Sequence, residues 1–168
     1  MTDTAEAIMD ATERRIRAAG YSGFSFREVA ADVGVKSASV YYHFPTKSAL
    51  TAAVVRRYNA RVLEAANAFV AAGQDVVAAW RAVFRSALVE DGARMCLCGS
   101  LGAIAGDLTP EVSHEVRQFF EKSTSSLVAG GLTLERATMV LATLEGAILM
   151  AGAQNDPAVF DRATANLG

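Results

Sequence analysis

Residues 25–47 read SFREVAADVGVKSASVYYHFPTK. Ser25 followed three residues later by Glu28 is a capping box, in which each side chain satisfies a free amide at a helix start. Val29, Ala30 and Val33 then recur at helical spacing and give a short helix its apolar side. Gly34 opens backbone conformations closed to most residues, so the chain can turn sharply there, and Val35 plugs the turn. In a second helix Val40 and Phe44, four apart, face inward. Ser37, Ala38, Ser39, Tyr41, Tyr42 and His43 are left outward or at the edges. Short helix, glycine turn and short helix is helix-turn-helix spacing.

The chemistry of that outward face suits DNA. Small polar residues at the start of the second helix let it approach base edges, where hydroxyls can donate or accept. Tyr41, Tyr42, His43 and Lys47 can donate to phosphate oxygens, which fixes register without reading sequence. Lys47 also opens the next helix, whose first amides can themselves bind phosphate.

Beyond this motif the spacing stays helical. Leu50, Ala53, Val54, Arg57 and Tyr58 open a helix predicted to run from Lys47 to Phe69 or Val70. Apolar residues step at three and four through Val76–Leu88, Val112–Leu127 and Leu134–Ala151. Thr109-Pro110 and Asp156-Pro157 are helix starts, each with a capping side chain and proline in the first helical position. No segment alternates as a strand does. With Gly20, Gly34, Gly92, Gly106 and Gly130-Gly131 as breaks, the expected fold is all-α with nine helices.

Charge divides the chain. The 168 residues carry a net charge of −2, which excludes a globally basic nucleic-acid protein but not a locally basic face. Residues 1–61 hold nine basic and six acidic groups; residues 62–168 hold seven and twelve. The amino-terminal part is thus the one suited to an anion. Hydrophobic residues at 52% and charged residues at 20% exclude disorder and supply a core. No cationic leader opens the chain, and Glu145 interrupts the most apolar carboxy-terminal stretch. A cytoplasmic protein with no membrane partner is expected.

Residues 8–55 resemble the DNA-binding domain of the TetR family of transcriptional repressors. The likeness runs from Ile8-Met9-Asp10-Ala11 and Gly20-Tyr21, through Phe26-Arg27-Glu28-Val29-Ala30 and Val33-Gly34-Val35, to Tyr41-Tyr42-His43-Phe44-Pro45-Thr46-Lys47 and Ala49-Leu50. It implies a DNA-binding domain over 1–46 and a ligand-binding and dimerisation domain over 47–168, bridged by the helix from Lys47. It places Arg27, Ser37, Ser39, Tyr41, Tyr42, His43 and Lys47 at positions that touch DNA. Lys36 stands where many members carry a capping serine, which weakens the cap or gains a phosphate contact. Arg15 stands where an apolar residue is usual, so a snorkelling side chain is expected. Arg56, Arg57 and Arg61 are expected to form a solvated helix face rather than DNA contacts.

The same resemblance makes Trp80, Phe84, Met95, Cys98, Phe119, Phe120 and Leu144 candidates for lining a ligand cavity; by spacing alone they are core residues. Two-fold DNA half-sites need a homodimer. The helices predicted at 134–152 and 157–167 offer its surface, with Leu141, Leu144, Ile148 and Ala151 in the seam. The implied function is a repressor on palindromic double-stranded operator DNA, released by a small organic ligand. The run Val35-Lys36-Ser37-Ala38-Ser39, with Met95-Cys96-Leu97-Cys98-Gly99 and Phe119-Phe120, is similar to a subgroup that includes regulators responding to small electrophiles and unsaturated acids.

Other functions have weaker support. Cys96 and Cys98 are not in redox Cys-x-x-Cys spacing, and with His114 and distant acids they make a poor metal site. Their apolar neighbours raise rather than lower a thiol pKa, and Arg94 is the nearest cation in sequence. A packing role is favoured over a thiol sensor of electrophiles. If 96 and 98 share a helix they point about 200° apart, so at most one faces a cavity, and Cys98 is preferred. No enzyme motif, phosphate loop or dinucleotide fingerprint is present, and neither an enzymatic activity nor a cofactor is expected. A helical adaptor that does not bind DNA remains the other alternative.

Overall fold

In a computed structural model the described residues are 3–89 and 95–168, so Gly92 and Arg94 lie outside them. Among these residues the chain forms nine α-helices: α1 Asp3–Ala19, α2 Phe26–Val33, α3 Ser37–His43, α4 Lys47–Ala71, α5 Val76–Val89, α6 Leu97–Gly102, α7 Pro110–Ala129, α8 Leu134–Gln154 and α9 Pro157–Thr164. Single 3-10 turns occupy Tyr21–Gly23 and Ala105–Asp107. The boundaries follow local chemistry. Asp156 accepts from the amide of Ala158 ahead of Pro157, as a helix start requires. Thr133 caps α8 by accepting from the amide of Arg136.

The contacts cluster into two compact units, residues 1–58 with 97–116 and residues 59–96 with 117–168. In the first unit α1 packs on α2, α3 and α6, and α2 packs on α3. Ile8, Met9, Ile16, Val29, Val40, Leu50, Leu97 and Leu101 are buried there. Ion pairs tie its helices. Arg15 on α1 forks onto Asp32 of α2, with Nε at 2.6 Å from Oδ2 and Nη2 at 2.9 Å from Oδ1. Arg57 on α4 reaches Glu6 at 2.7 Å, Asp10 at 2.7 Å and Glu13 at 3.5 Å on α1. Its neighbour Arg56 donates from Nε and Nη2 to Oε1 of Glu115 on α7, at 2.9 and 2.6 Å. The solvated arginine face expected from the sequence is therefore corrected at Arg57, while Arg56 keeps 65% of its side chain exposed. Acids remote in sequence gather against Arg57, and its side chain is only 21% exposed.

In the second unit α8 packs on α5 and α9. Trp80, Phe119, Leu127, Leu144, Ile148 and Phe160 are buried. Trp80 Nε1 donates to Ser126 Oγ at 3.3 Å, and Arg85 pairs with Asp161 at 2.7 Å. At Gly130 a Cβ would lie 2.5 Å from Val76, so only glycine permits this approach of the α7 end to α5.

By length and composition α8 could cross a membrane, although Glu145 was expected to interrupt it. The reason is that α8 is apolar on two sides. One is buried in its own unit; the other leaves Leu134, Met139, Leu149 and Met150 about half exposed. Leu144, Ile148 and Ala151, expected in a seam between subunits, belong to the buried side, with exposures of 0, 0 and 1%. Leu141 is also buried.

Candidate nucleic-acid interface

The α2–α3 pair is built by its own sequence. Ser25 Oγ accepts from the Glu28 amide at 3.3 Å and donates to Glu28 Oε2 at 2.7 Å. These bonds to Ser25, helped by Arg15 and Arg27, hold the Glu28 carboxyl below its usual pKa. Asp32 is lowered likewise, first by its hydrogen bond from Arg15. Gly34 closes α2 in the left-handed region at φ 76°, and its amide returns to the carbonyls of Ala30 and Ala31. Lys36 then opens α3 with no side-chain capping bond, as its replacement of a capping serine implies. Val40 and Phe44 turn inward and fix which side of α3 faces out.

That outward side carries the expected residues. Arg27, Lys36, Tyr41 and Tyr42 are exposed, and Ser37, Ser39, His43 and Lys47 are partly exposed. The two tyrosines differ. Tyr41 keeps 59% exposure with its ring 4.6 Å from that of Phe26, whereas Tyr42 is 85% exposed and touches His43 edge-on at 5.2 Å. Tyr41 is thus partly a packing residue and Tyr42 is free to reach a partner.

Lys47 does more than its position in sequence indicated. Its Nζ donates to the Phe24 carbonyl at 2.8 Å and sits 4.3 Å from the Phe24 ring centroid and 4.8 Å from that of Tyr21. Desolvation there lowers its pKa, against the pull of Glu28. With Phe24, Ser25, Phe26 and Tyr41 it lines a hollow of about 290 Å³ beside α3. The lysine therefore braces the start of α4 against the α1–α2 connection, and two of its three N–H donors remain for another acceptor. Sequence reasoning missed Phe24 and Tyr21 as its seat. The signal was an aromatic pair flanking a glycine.

The ligand candidates fall in several places. Trp80, Phe84, Phe119 and Leu144 are buried in the second unit, with the Trp80 and Phe84 rings 6.3 Å apart. Phe120 packs edge-on to Phe119 at 5.2 Å and lines a cavity of about 270 Å³ between α7 and α8. Met95 is partly exposed in the second unit, whereas Cys98 is buried on α6 in the first. Cys96 precedes α6 and does not share a helix with Cys98, so the opposed-face comparison does not apply. The residue that sequence reasoning passed over is Glu145, which lines the α7/α8 cavity. Its carboxyl is pushed up to about 7 by burial, partly offset by a hydrogen bond from the Cys96 thiol.

Residues 8–54 match the family model described as bacterial regulatory proteins, tetR family. No curated protein matches the chain. Among solved structures it is similar to a TetR transcriptional regulator from Legionella pneumophila, with TM-score 0.90 and 23% identity over 99% of this chain and 96% of that one. A TetR-family transcriptional regulator from Agrobacterium tumefaciens superposes with TM-score 0.85 and 27% identity, covering 96% of this chain and 94% of that one. The reduced form of NemR from E. coli gives 0.84 and 20%, covering 99% and 95%.

Proposed function

We propose that this chain, which belongs to the TetR family of bacterial regulatory proteins, is a repressor that binds a palindromic operator as a homodimer and releases it when a small organic ligand binds. The observation that carries the proposal is the α2–α3 pair. Its inward face is closed by Val40 and Phe44, and its outward face presents hydroxyls, tyrosines and cations, with Tyr42 85% exposed. In this reading Ser37 and Ser39 meet base edges, and Arg27, Lys36, Tyr42, His43 and Lys47 hold phosphates. The functional division runs at the start of α4, with 1–46 for DNA and 47–168 for ligand and dimer. A regulator of this kind needs no catalytic group and acts in the cytoplasm.

Two recognition helices must lie roughly 34–36 Å apart to enter successive major grooves. The dimer is therefore part of the site. We seat it on the exposed side of α8, where Met139, Leu149 and Met150 flank the small residues Ala142, Gly146 and Ala153. Such a face is self-complementary about a two-fold axis. A ligand that favours a different spacing of the recognition helices lowers operator affinity by its differential affinity for the two arrangements. Burial of Cys96 and Cys98, at 1 and 0% exposure, supports packing roles rather than thiol sensing. Fluorescence anisotropy with labelled operator fragments tests the proposal. Tight, salt-dependent binding of a palindrome by a dimer is expected, and its absence at low salt removes the repressor.

A further inference from the structure

Glu145, on α8, lines the cavity of about 270 Å³. Phe120 and Thr124 of α7, and Thr138, Leu141 and Ala142 of α8, complete the lining, and none of these is charged. The Cys96 thiol is the titratable group that hydrogen-bonds the carboxyl. Even so, Glu145 Oε1 is buried with no hydrogen-bond partner among the described residues. A buried carboxyl oxygen without a donor is costly, and such groups concentrate where a ligand supplies what is missing. Thr138 Oγ1 already gives its proton to the Leu134 carbonyl at 2.7 Å, so it can only accept from anything in the cavity. Thr124 adds a hydroxyl that can donate or accept, whereas Glu145 Oε1 and Thr138 Oγ1 ask for donors, and the carboxylate for positive charge.

Resting on the ligand-responsive function proposed above, we propose that this cavity takes a small organic cation, an ammonium on an apolar body, with Glu145 as its counter-ion. An anion is repelled by the carboxylate. A neutral apolar ligand leaves Oε1 unpaired. One carboxylate and one thiol are too few ligands for a protein-held metal. The volume lies just under the usual range of about 300–1,000 Å³ for ligand pockets, which limits the apolar body to roughly one ring. Phe120 supplies an aromatic wall for it, and Ala142 belongs to both the cavity and the proposed subunit seam, so occupancy is felt where the two subunits meet.

Calorimetry of the full chain with benzylamine and its neutral analogue benzyl alcohol at pH 7.5 tests this. Saturable benzylamine binding at least about ten-fold tighter than benzyl alcohol is expected, since a charge-assisted hydrogen bond to the carboxylate replaces the neutral one that the alcohol O–H can donate. Glu145→Gln should bring the two ligands within about two-fold of each other, and Ala142→Trp should abolish binding of both by filling the cavity. Equal affinity for the two ligands, an unchanged preference in Glu145→Gln, or no saturable benzylamine binding overturns the site. Circular dichroism of both variants confirms that they are folded. The titration contains no DNA, so its outcome is separate from the operator assay that tests the repressor.

Discussion

The Lys47 ammonium is held 2.8 Å from the carbonyl oxygen of Phe24, a residue 23 positions earlier in the chain. It thereby fixes the first turn of α4 to the segment that leads into α2, so the recognition helix α3 is anchored at both ends. Brace and phosphate contact are separable in experiment. Lys47→Ala should lower stability by about 1 kcal/mol through the lost hydrogen bond and ring contacts. It should also flatten the salt dependence of operator binding by about one unit. A stability loss with an unchanged salt slope assigns Lys47 to bracing alone.

Tyr42 provides the contrasting case, because its side chain makes little internal packing. Tyr42→Phe should leave the thermal midpoint unchanged and weaken operator binding several-fold, about 1 kcal/mol, with the sequence preference kept. Anisotropy on operator and scrambled DNA checks this. Undiminished affinity for both places Tyr42 away from the DNA.

Arg57 is the centre of an acidic cluster on α1. Arg57→Leu leaves Glu6 and Asp10 facing one another without their cation, with Arg17 still 3.7 Å from Glu13, and should cost about 3 kcal/mol in urea unfolding. Arg56→Leu is expected to cost less than about 1 kcal/mol, because the Arg56 side chain is 65% exposed. Equal losses in the two variants contradict the difference in burial.

Glu145 gives a pH signature. Its folded pKa of about 7 lies above the ordinary carboxyl value of 4.5, so the folded state binds the proton more tightly. The stability linked to that proton is fully present below about pH 4.5 and is lost as pH rises through about 7. Glu145→Gln cannot lose a proton. It should therefore exceed the parent in stability at pH 8, by up to about 3 kcal/mol, and match it near pH 4.5. Urea midpoints at the two pH values decide it; a variant less stable than the parent at pH 8 shows an ionised, well-paired carboxylate instead.

The two sides of α8 make opposite predictions. Leu149→Glu, on the exposed side, should yield a folded monomer with weak operator binding. Ile148→Glu, fully buried in its own unit, should unfold the chain, since an unpaired buried charge costs several kcal/mol. Sedimentation and circular dichroism separate these outcomes. A dimeric Leu149→Glu moves the seam elsewhere.

These residues also mark how far sequence alone carries. The capping box at Ser25 and Glu28, the turn at Gly34 and the starts at Pro110 and Pro157 are set by contacts within one helical turn, and each was legible. Periodicity also found α8 and its apolar character. It could not tell which of two apolar sides lies inside, because Leu144 and Leu149 have the same hydrophobicity and differ only in their neighbours. The internal contacts of Lys47, Arg57 and Glu145 stayed hidden for a similar reason. Their partners Phe24, Glu6 and Cys96 come from other elements, and only packing brings them together. At the candidate DNA face the exposed tyrosines and cations were legible, whereas the packing of Tyr41 on Phe26 was not.

Selection of fragments from a random double-stranded library by the full-length protein tests the central claim most directly. The account predicts that the retained fragments share an inverted repeat, with half-site centres one helical turn or a multiple of it apart, and that retention falls steeply with added salt. Retained fragments with no common motif, or with a single unrepeated half-site, would contradict it.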